Sequence, residues 1–385
     1  MNFKQILVEL VEKKGSDLHL RVGLPPVIRL NGELTKLGSE RTTVEDIDAA
    51  LSTILTPDQL AKLKTNPELD LALSVSKLGR FRINIYRQRG TFSLALRTVN
   101  TDVPTFEQLN LPTVMKEIAE SRRGLIIVTG TTGSGKSTTL AALIERINST
   151  RAENILTIED PIEYVYRDQL SIISQREIGG DTNSFTNALR AAFRQDPDVI
   201  LVGEIRDYET AKIALQAALT GHLVLTTLHT NDAAGTIVRL QSLGEKPINI
   251  APAINIAVAQ RLVRRICKKC VKFSPPTEEE LQIFKKELGV LGKKIKIPKL
   301  SKNLKIPRVQ GCKFCNFTGY KGRIGIFEFF LKDDEMENFI LKSPSITDLR
   351  KIARKKGMVL MREDGLIKVL QGMTTLEEIK RVTAS

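Results

Sequence analysis

The stretch Gly124-Leu-Ile-Ile-Val-Thr-Gly130-Thr131-Thr132-Gly133-Ser134-Gly135-Lys136-Ser137-Thr138 decides how this chain folds. Residues 125–129 form an apolar run ending in a threonine, which reads as a strand buried on both faces. The next eight residues fit the phosphate-loop pattern G-x-x-x-x-G-K-S in full, and residues 138–147 continue as a helix. The chemistry follows from the residue types. Glycines let successive backbone N–H groups turn inward around phosphate oxygens. The helix N-terminus adds partial positive charge. Lys136 is expected to reach the β- and γ-phosphates of a nucleotide, and Ser137 to ligate Mg²⁺.

Three more apolar strands follow at 155–158, 199–202 and 223–228, alternating with helical segments. This pattern predicts an α/β fold with a parallel sheet. Ligands gather at the carboxyl ends of such strands, and two of these ends are acidic. One reads Glu159-Asp160-Pro161-Ile162-Glu163, and the other Gly203-Glu204. Glu204 stands near where an aspartate usually closes the magnesium strand of a phosphate-loop enzyme. The inserted Gly203 and the longer acid favour metal contact through water. His229 ends the strand 223–228 and should face the same crevice, where it could sense the γ-phosphate. His222 precedes that strand, ~23 Å away at ~3.3 Å per residue. It therefore reads as a structural or subunit-interface residue.

Before the phosphate loop the pattern is α+β. A helix is expected over 3–14, a strand over 16–22 and a hairpin over 27–34 turning at Asn31-Gly32. A helix over 43–64 and strands over 80–86 and 91–97 follow. Residues 100–112, with Pro104 and Pro112, read as a linker. After the sheet, all four cysteines lie in two pairs, Cys267-x-x-Cys270 and Cys312-x-x-Cys315. Two such pairs suit a tetrahedral four-thiolate zinc site, closed and therefore structural. The expected division is 1–99, linker 100–112, 113–260, a cysteine module with basic insertion over 261–325, and a helical region over 326–385.

Charge and composition exclude other classes. The chain has 385 residues, 42% hydrophobic and 26% charged, the balance of a soluble globular protein. No window approaches a membrane span and the N-terminus does not read as a secretory signal. Only three histidines occur, so the common zinc-hydrolase motifs are excluded. The net charge of +14 is concentrated: residues 261–308 hold fifteen Lys or Arg against four Glu. Such a patch suits an anionic partner such as acidic lipid, an acidic protein loop or nucleic acid. With no Trp and 5% aromatic residues, the chain lacks stacking platforms, so nucleic acid is not expected.

The motifs together resemble the secretion ATPases of type IV pilus and type II secretion machines. Residues 155–163 resemble their aspartate box, 198–207 their atypical Walker B, and 220–230 their histidine box. The resemblance runs from about Ser16 to the C-terminus. It implies a RecA-like core, a PAS-like N-terminal domain, and a homo-hexamer hydrolysing ATP with Mg²⁺ between neighbouring subunits. By position it makes Glu163 the water-activating base and Glu204 the Walker B acid. Arg82 and Arg97, on adjacent strands, become arginine fingers delivered across the interface. It further implies a cytoplasmic protein, peripheral at the membrane's inner face, acting on an inner-membrane platform protein; the basic charge of 261–308 adds anionic lipid as an expected partner. The opening Ser16-Asp-Leu-His-Leu-Arg and the short N-terminus resemble retraction motors. The tetracysteine module and the ending from Lys368 resemble assembly and secretion motors, which is the favoured assignment. Pilus retraction and nucleic-acid translocation are the alternatives.

Overall fold

The computed structural model describes residues 2–30, 32–291, 295 and 297–384. The expected turn residue Asn31, and Lys293, Lys294 and Lys296 of the basic stretch, lie outside the described residues. The chain forms two compact units, Met1–Val103 with Pro161–Arg167, and Pro104–Asp160 with Asp168–Ser385.

The first unit is built on a six-stranded antiparallel sheet. Its strands are β1 (Asp17–Arg21), β2 (Val27–Leu30), β3 (Glu33–Lys36), β4 (Glu68–Val75), β5 (Gly79–Gln88) and β6 (Thr91–Thr98), in the order β3-β2-β1-β6-β5-β4. Strand β5 shows why one face is the core: Phe81, Ile83 and Ile85 are buried at alternate positions, leaving Arg82 and Asn84 on the other face. Helices Phe3–Glu12, Val44–Ile54 and Pro57–Thr65 contribute Leu7, Leu10, Ile47, Leu51 and Leu63 to that core. The single helix expected over 43–64 is two, because Pro57 starts a new one. Thr56 and Gln59 cap it reciprocally, and Pro57 fills the first turn where no N–H is needed.

The second unit holds a seven-stranded sheet. Strands β7 (Gly124–Thr129), β8 (Asn154–Glu159), β9 (Ile172–Glu177), β10 (Val199–Val202), β11 (Leu223–Leu228) and β12 (Ile254–Ile266) are joined by parallel pairings. A small ribbon, β13 (Lys272–Ser274) with β14 (Ile306–Arg308), precedes β15 (Tyr320–Leu331), which runs antiparallel to β12. The order is β15-β12-β7-β11-β10-β8-β9. Strands β7, β10 and β11 are buried at every position, as their unbroken apolar sequences require. The expected boundaries at 260 and 325 fall inside β12 and β15, so the cysteine module grows out of the sheet itself. Among the described residues no helix is long and apolar enough to cross a membrane.

Candidate functional site

The parallel register aligns the carboxyl ends of four neighbouring strands. Leu228 pairs with Thr129, Val202 with Thr226, and Val202 with Ile158. Because strands lie ~4.8 Å apart, Gly130, His229, Gly203 and Asp160 emerge along one edge.

The phosphate loop is tightly held. Gly130 has φ +145° and Gly135 φ +88°, and a Cβ on Gly130 would stand 2.4 Å from the Gln260 carbonyl oxygen. Glycine is obligatory there on both counts. Buried Gln260 of β12 clamps the loop, donating to the Ser134 carbonyl at 2.9 Å and accepting from Thr139 Oγ1 at 2.7 Å. The Lys136 ammonium folds back onto the carbonyls of Gly130 (2.9 Å) and Thr131 (3.2 Å). Ser137 and Thr138 follow in the first turn of the helix Lys136–Thr150. Sequence reasoning missed Gln260, because only the β12–β7 pairing brings it to the loop.

Glu204, mostly buried, forms an ion pair with Arg206 at 2.5 Å, and its other oxygen lies 3.7 Å from His229 Nε2. Burial and the nearby Lys136 ammonium lower the His229 pKa below its ordinary value, although Glu204 pulls the other way. The imidazole is therefore neutral at neutral pH. The loop after His229 is anchored twice. Thr230 Oγ1 meets Thr129 Oγ1 at 2.7 Å, and Asp232 pairs with Arg350 at 2.8 Å. His222 sits apart, its Nδ1 3.0 Å from the Ala217 carbonyl at the end of the helix Tyr208–Leu219.

The acids of the other strand end separate. Glu159 is buried, accepting from Thr157 Oγ1 at 2.7 Å and Gln175 Nε2 at 3.2 Å. Glu163 lies in Pro161–Arg167 and so belongs to the first unit, not to the unit that holds Glu204. In that unit Arg82 donates to the Ile162 carbonyl at 2.7 Å, and Val165 N–H donates to the Asn100 carbonyl at 2.9 Å. Arg82 and Arg97 are direct cross-strand partners. Facing like charges are unfavourable on a sheet, and each guanidinium has its own acceptor. Arg97 Nε donates to Asp17 at 2.8 Å, while Arg82 takes backbone oxygens. Burial works against ionising Asp17, but Arg97, Ser16 and Arg29 hold its carboxyl below the usual range.

At the mouth of the phosphate loop lies an open cavity of about 410 Å³. It is lined by Thr131, Thr132, Ser134, Asn231, Arg261 and Arg381, among others. Arg381 belongs to the helix Leu376–Thr383. That helix is fixed by Glu378, whose side chain is fully buried. Glu378 accepts from Arg264 N–H (2.9 Å) and Nη2 (2.7 Å), and from Arg381 Nε (2.8 Å) and Nη2 (2.6 Å). Burial opposes its charge, yet Arg381 and Arg264 bring its pKa down to about 2.

The four cysteines converge because β12 and β15 are antiparallel neighbours. Ile266 pairs with Tyr320, so the chain just after β12 and just before β15 meet. Their sulfurs lie within 4.8 Å of one another, with three pairs at 3.8–3.9 Å. A tetrahedron of ~2.3 Å zinc–thiolate bonds has edges of about 3.8 Å, so this donor set fits zinc. Burial raises the Cys315 thiol, but N–H donation from Cys312 and Gly319 brings it down to about 6. Burial and neighbouring thiols push Cys270 up to about 12. The cluster offers no open ligand position.

Comparison with known proteins accords with this arrangement. The family described as "Type II/IV secretion system protein" matches residues 61–381. The chain is 43% identical over 316 residues to the "Type IV pilus assembly ATPase PilB" of Thermus thermophilus, covering 81% of this chain and 33% of that protein. It is 35% identical over 411 residues to the "Putative type II secretion system protein E" of Escherichia coli, covering 99% and 76%. The solved structure "Crystal Structure of the Pilus Retraction Motor PilT and Bound ADP" superposes with TM-score 0.78 at 33% identity, covering 100% of this chain and 98% of that one. The chain thus spans a third of the length of the Thermus relative. With its phosphate loop, acidic strand ends and tetracysteine cluster on one fold, the chain belongs to the type II/IV secretion system protein family.

Proposed function

We propose that this protein is an ATP hydrolase of the secretion-motor type, working as a homo-hexamer on a membrane platform in type IV pilus assembly or type II secretion. The observation that carries the reading is the alignment of three groups along one strand edge. These are a complete phosphate loop, Glu204 and a neutral His229. In this reading residues 130–138 cradle ATP, Ser137 holds Mg²⁺, and Glu204 orients the metal's water shell. Glu163 takes the proton of the attacking water, and Arg82 and Arg97 stabilise charge on the transferred phosphoryl group. Cys267, Cys270, Cys312 and Cys315 hold structural zinc.

Purified chain should release phosphate from ATP with Mg²⁺. Glu163→Gln should keep nucleotide binding and lose turnover. Wild-type turnover in that variant refutes the role given to Glu163. Mixed rings of Arg97→Ala and Glu163→Gln subunits should regain part of the activity, because some interfaces then pair two intact halves. The fit along the full length of a retraction motor favours retraction as the second reading. Loss of surface pili in a deletion strain supports assembly, and their accumulation supports retraction.

A further inference from the structure

Strand β15 carries a buried acid that has no part in the site described so far. Glu328 is 3% exposed, and among the described residues no Lys or Arg forms an ion pair with it. A buried carboxylate without a cation is costly, so its hydrogen bonds must compensate. Its oxygens take two backbone amides from distant parts of the chain. Oε1 accepts from Ala233 N–H at 3.0 Å, and Oε2 from Met361 N–H at 3.4 Å, in the first turn of the helix Met361–Leu370. Burial and the nearby Asp232 raise its pKa above the ordinary value, while the two N–H groups and Arg350 pull it back.

The sheet register gives the first of these bonds its meaning. Leu228, Thr129, Ala259 and Glu328 are paired in one row across β11, β7, β12 and β15. Paired residues project on the same face, so the row makes a track from the end of β11 to β15, ~14 Å long at ~4.8 Å per strand. The segment after His229 is laid along that track. Thr230 N–H donates to Thr129 Oγ1 at 2.8 Å, and Ala233 N–H reaches Glu328. Between them Asp232 accepts from Gly235 N–H at 2.7 Å and from Arg350 at 2.8 Å. Thr129 thus holds the near end, at the root of the phosphate loop, and Glu328 the far end. Gln260, next to Ala259 in β12, projects to the opposite face and clamps the phosphate loop from there. One face of the sheet holds the phosphate loop and the other holds the segment that carries His229.

We propose that Glu328 is a positioning residue, which fixes His229 by anchoring Ala233 at the far end of its segment and through His229 sets the rate of ATP hydrolysis. The consequence for rate rests on the hydrolase reading above; the placement of His229 does not.

Glu328→Ala frees the far end of the segment. In the full zinc-loaded chain, turnover should fall by roughly tenfold or more, the weight of a hydrogen bond to a charged acceptor. KM and the affinity for a fluorescent ATP analogue should stay near wild type, because Gln260 still holds the phosphate loop. Glu328→Gln should recover most of the rate, since its amide oxygen can still accept from Ala233 N–H. Should Glu328→Ala fail to fold, Glu328→Asp, one methylene short of Ala233, serves in its place. The decisive measurement is independent of turnover. The chain has three histidines, so their ring C–H resonances are assigned by single substitutions. In Glu328→Ala the His229 resonance should move or broaden while those of His19 and His222 stay in place. An unmoved His229 resonance overturns the proposal. A loss as large in Glu328→Gln as in Glu328→Ala also overturns it, because charge rather than reach is then the cause. Glu328→Ala added to His229→Gln should cost no further turnover, and multiplied losses count against the proposal in the same way. No phosphate release by the wild-type chain, with the His229 resonance displaced in Glu328→Ala, refutes the hydrolase reading while upholding the anchor.

Discussion

Replacing Glu378 by Gln tests whether the C-terminal helix is locked to the nucleotide cavity by charge. The carboxylate is fully buried and bonded to both Arg264 and Arg381. Its pKa of about 2 stands against an ordinary 4.5. At ~1.4 kcal/mol per unit, that difference bounds the contribution near ~3.4 kcal/mol. The arginine heads are roughly half exposed and can rehydrate, which lowers the expected loss in the variant to about 2 kcal/mol. The sign follows from the depressed pKa. The contribution is complete above 4.5 and is lost as pH falls from 4.5 toward 2, about a quarter of it by pH 4. Glu378→Gln should therefore melt several degrees below wild type at pH 7. The gap should narrow as both are titrated from pH 5 to pH 4, and amide exchange should quicken first in the helix Leu376–Thr383. Because Arg381 lines the cavity at the phosphate loop, nucleotide affinity should fall as well. Equal melting temperatures at pH 7, or a gap independent of pH, would refute the charge lock.

Gln260→Ala removes two hydrogen bonds that shape the phosphate loop, each worth about 1 kcal/mol, so a fluorescent ATP analogue should bind more weakly, by up to roughly thirtyfold. Cys312→Ser with Cys315→Ser should release zinc on elemental analysis and lower the melting temperature, while turnover per folded molecule changes less than in Glu163→Gln. His229 is neutral at neutral pH because burial and Lys136 lower its pKa. Hydrolysis should be flat through neutrality and decline only on the acid side of His229's ordinary value. His229→Gln should lack that part of the pH profile.

Much of the fold was legible because its signals are local. An unbroken apolar run followed by G-x-x-x-x-G-K-S makes strand, loop and helix without reference to the rest of the chain, and β7, β10 and β11 fall where their sequences put them. Two strands were missed. Glu68–Val75 was passed over although Leu69, Leu71, Leu73 and Val75 alternate with Glu68, Asp70, Ala72 and Ser74, and Ile172–Glu177 lies at the sheet edge with polar Ser174 and Gln175. Long strand β12 was not expected, and a domain boundary was placed inside it at 260 because the sequence turns basic at Arg261, while the hydrogen-bond ladder to β15 continues to Ile266. Charge composition marks a surface, whereas a strand ends only where its partner ends.

The site shows the same division between local and non-local information. The phosphate loop, Gly203-Glu204 and His229 share one strand edge because each segment begins where a strand ends, and a motif reports that much. Glu163 obeys a different rule. Strand β8 ends at Glu159, whose carboxylate is consumed by Thr157 and Gln175, and from Pro161 to Arg167 the chain belongs to the other compact unit. Asp160 and Glu163, three residues apart, therefore lie in different units. The excursion is secured by Arg82, whose guanidinium bonds the backbone beside Glu163, and Arg82 faces Arg97 across β5 and β6. Glu163, Arg82 and Arg97 therefore lie on the first unit, whereas the phosphate loop, Glu204 and His229 lie on the second. Which unit a residue joins is decided by the partners its backbone finds far away in the chain, and no stretch of sequence read alone contains them.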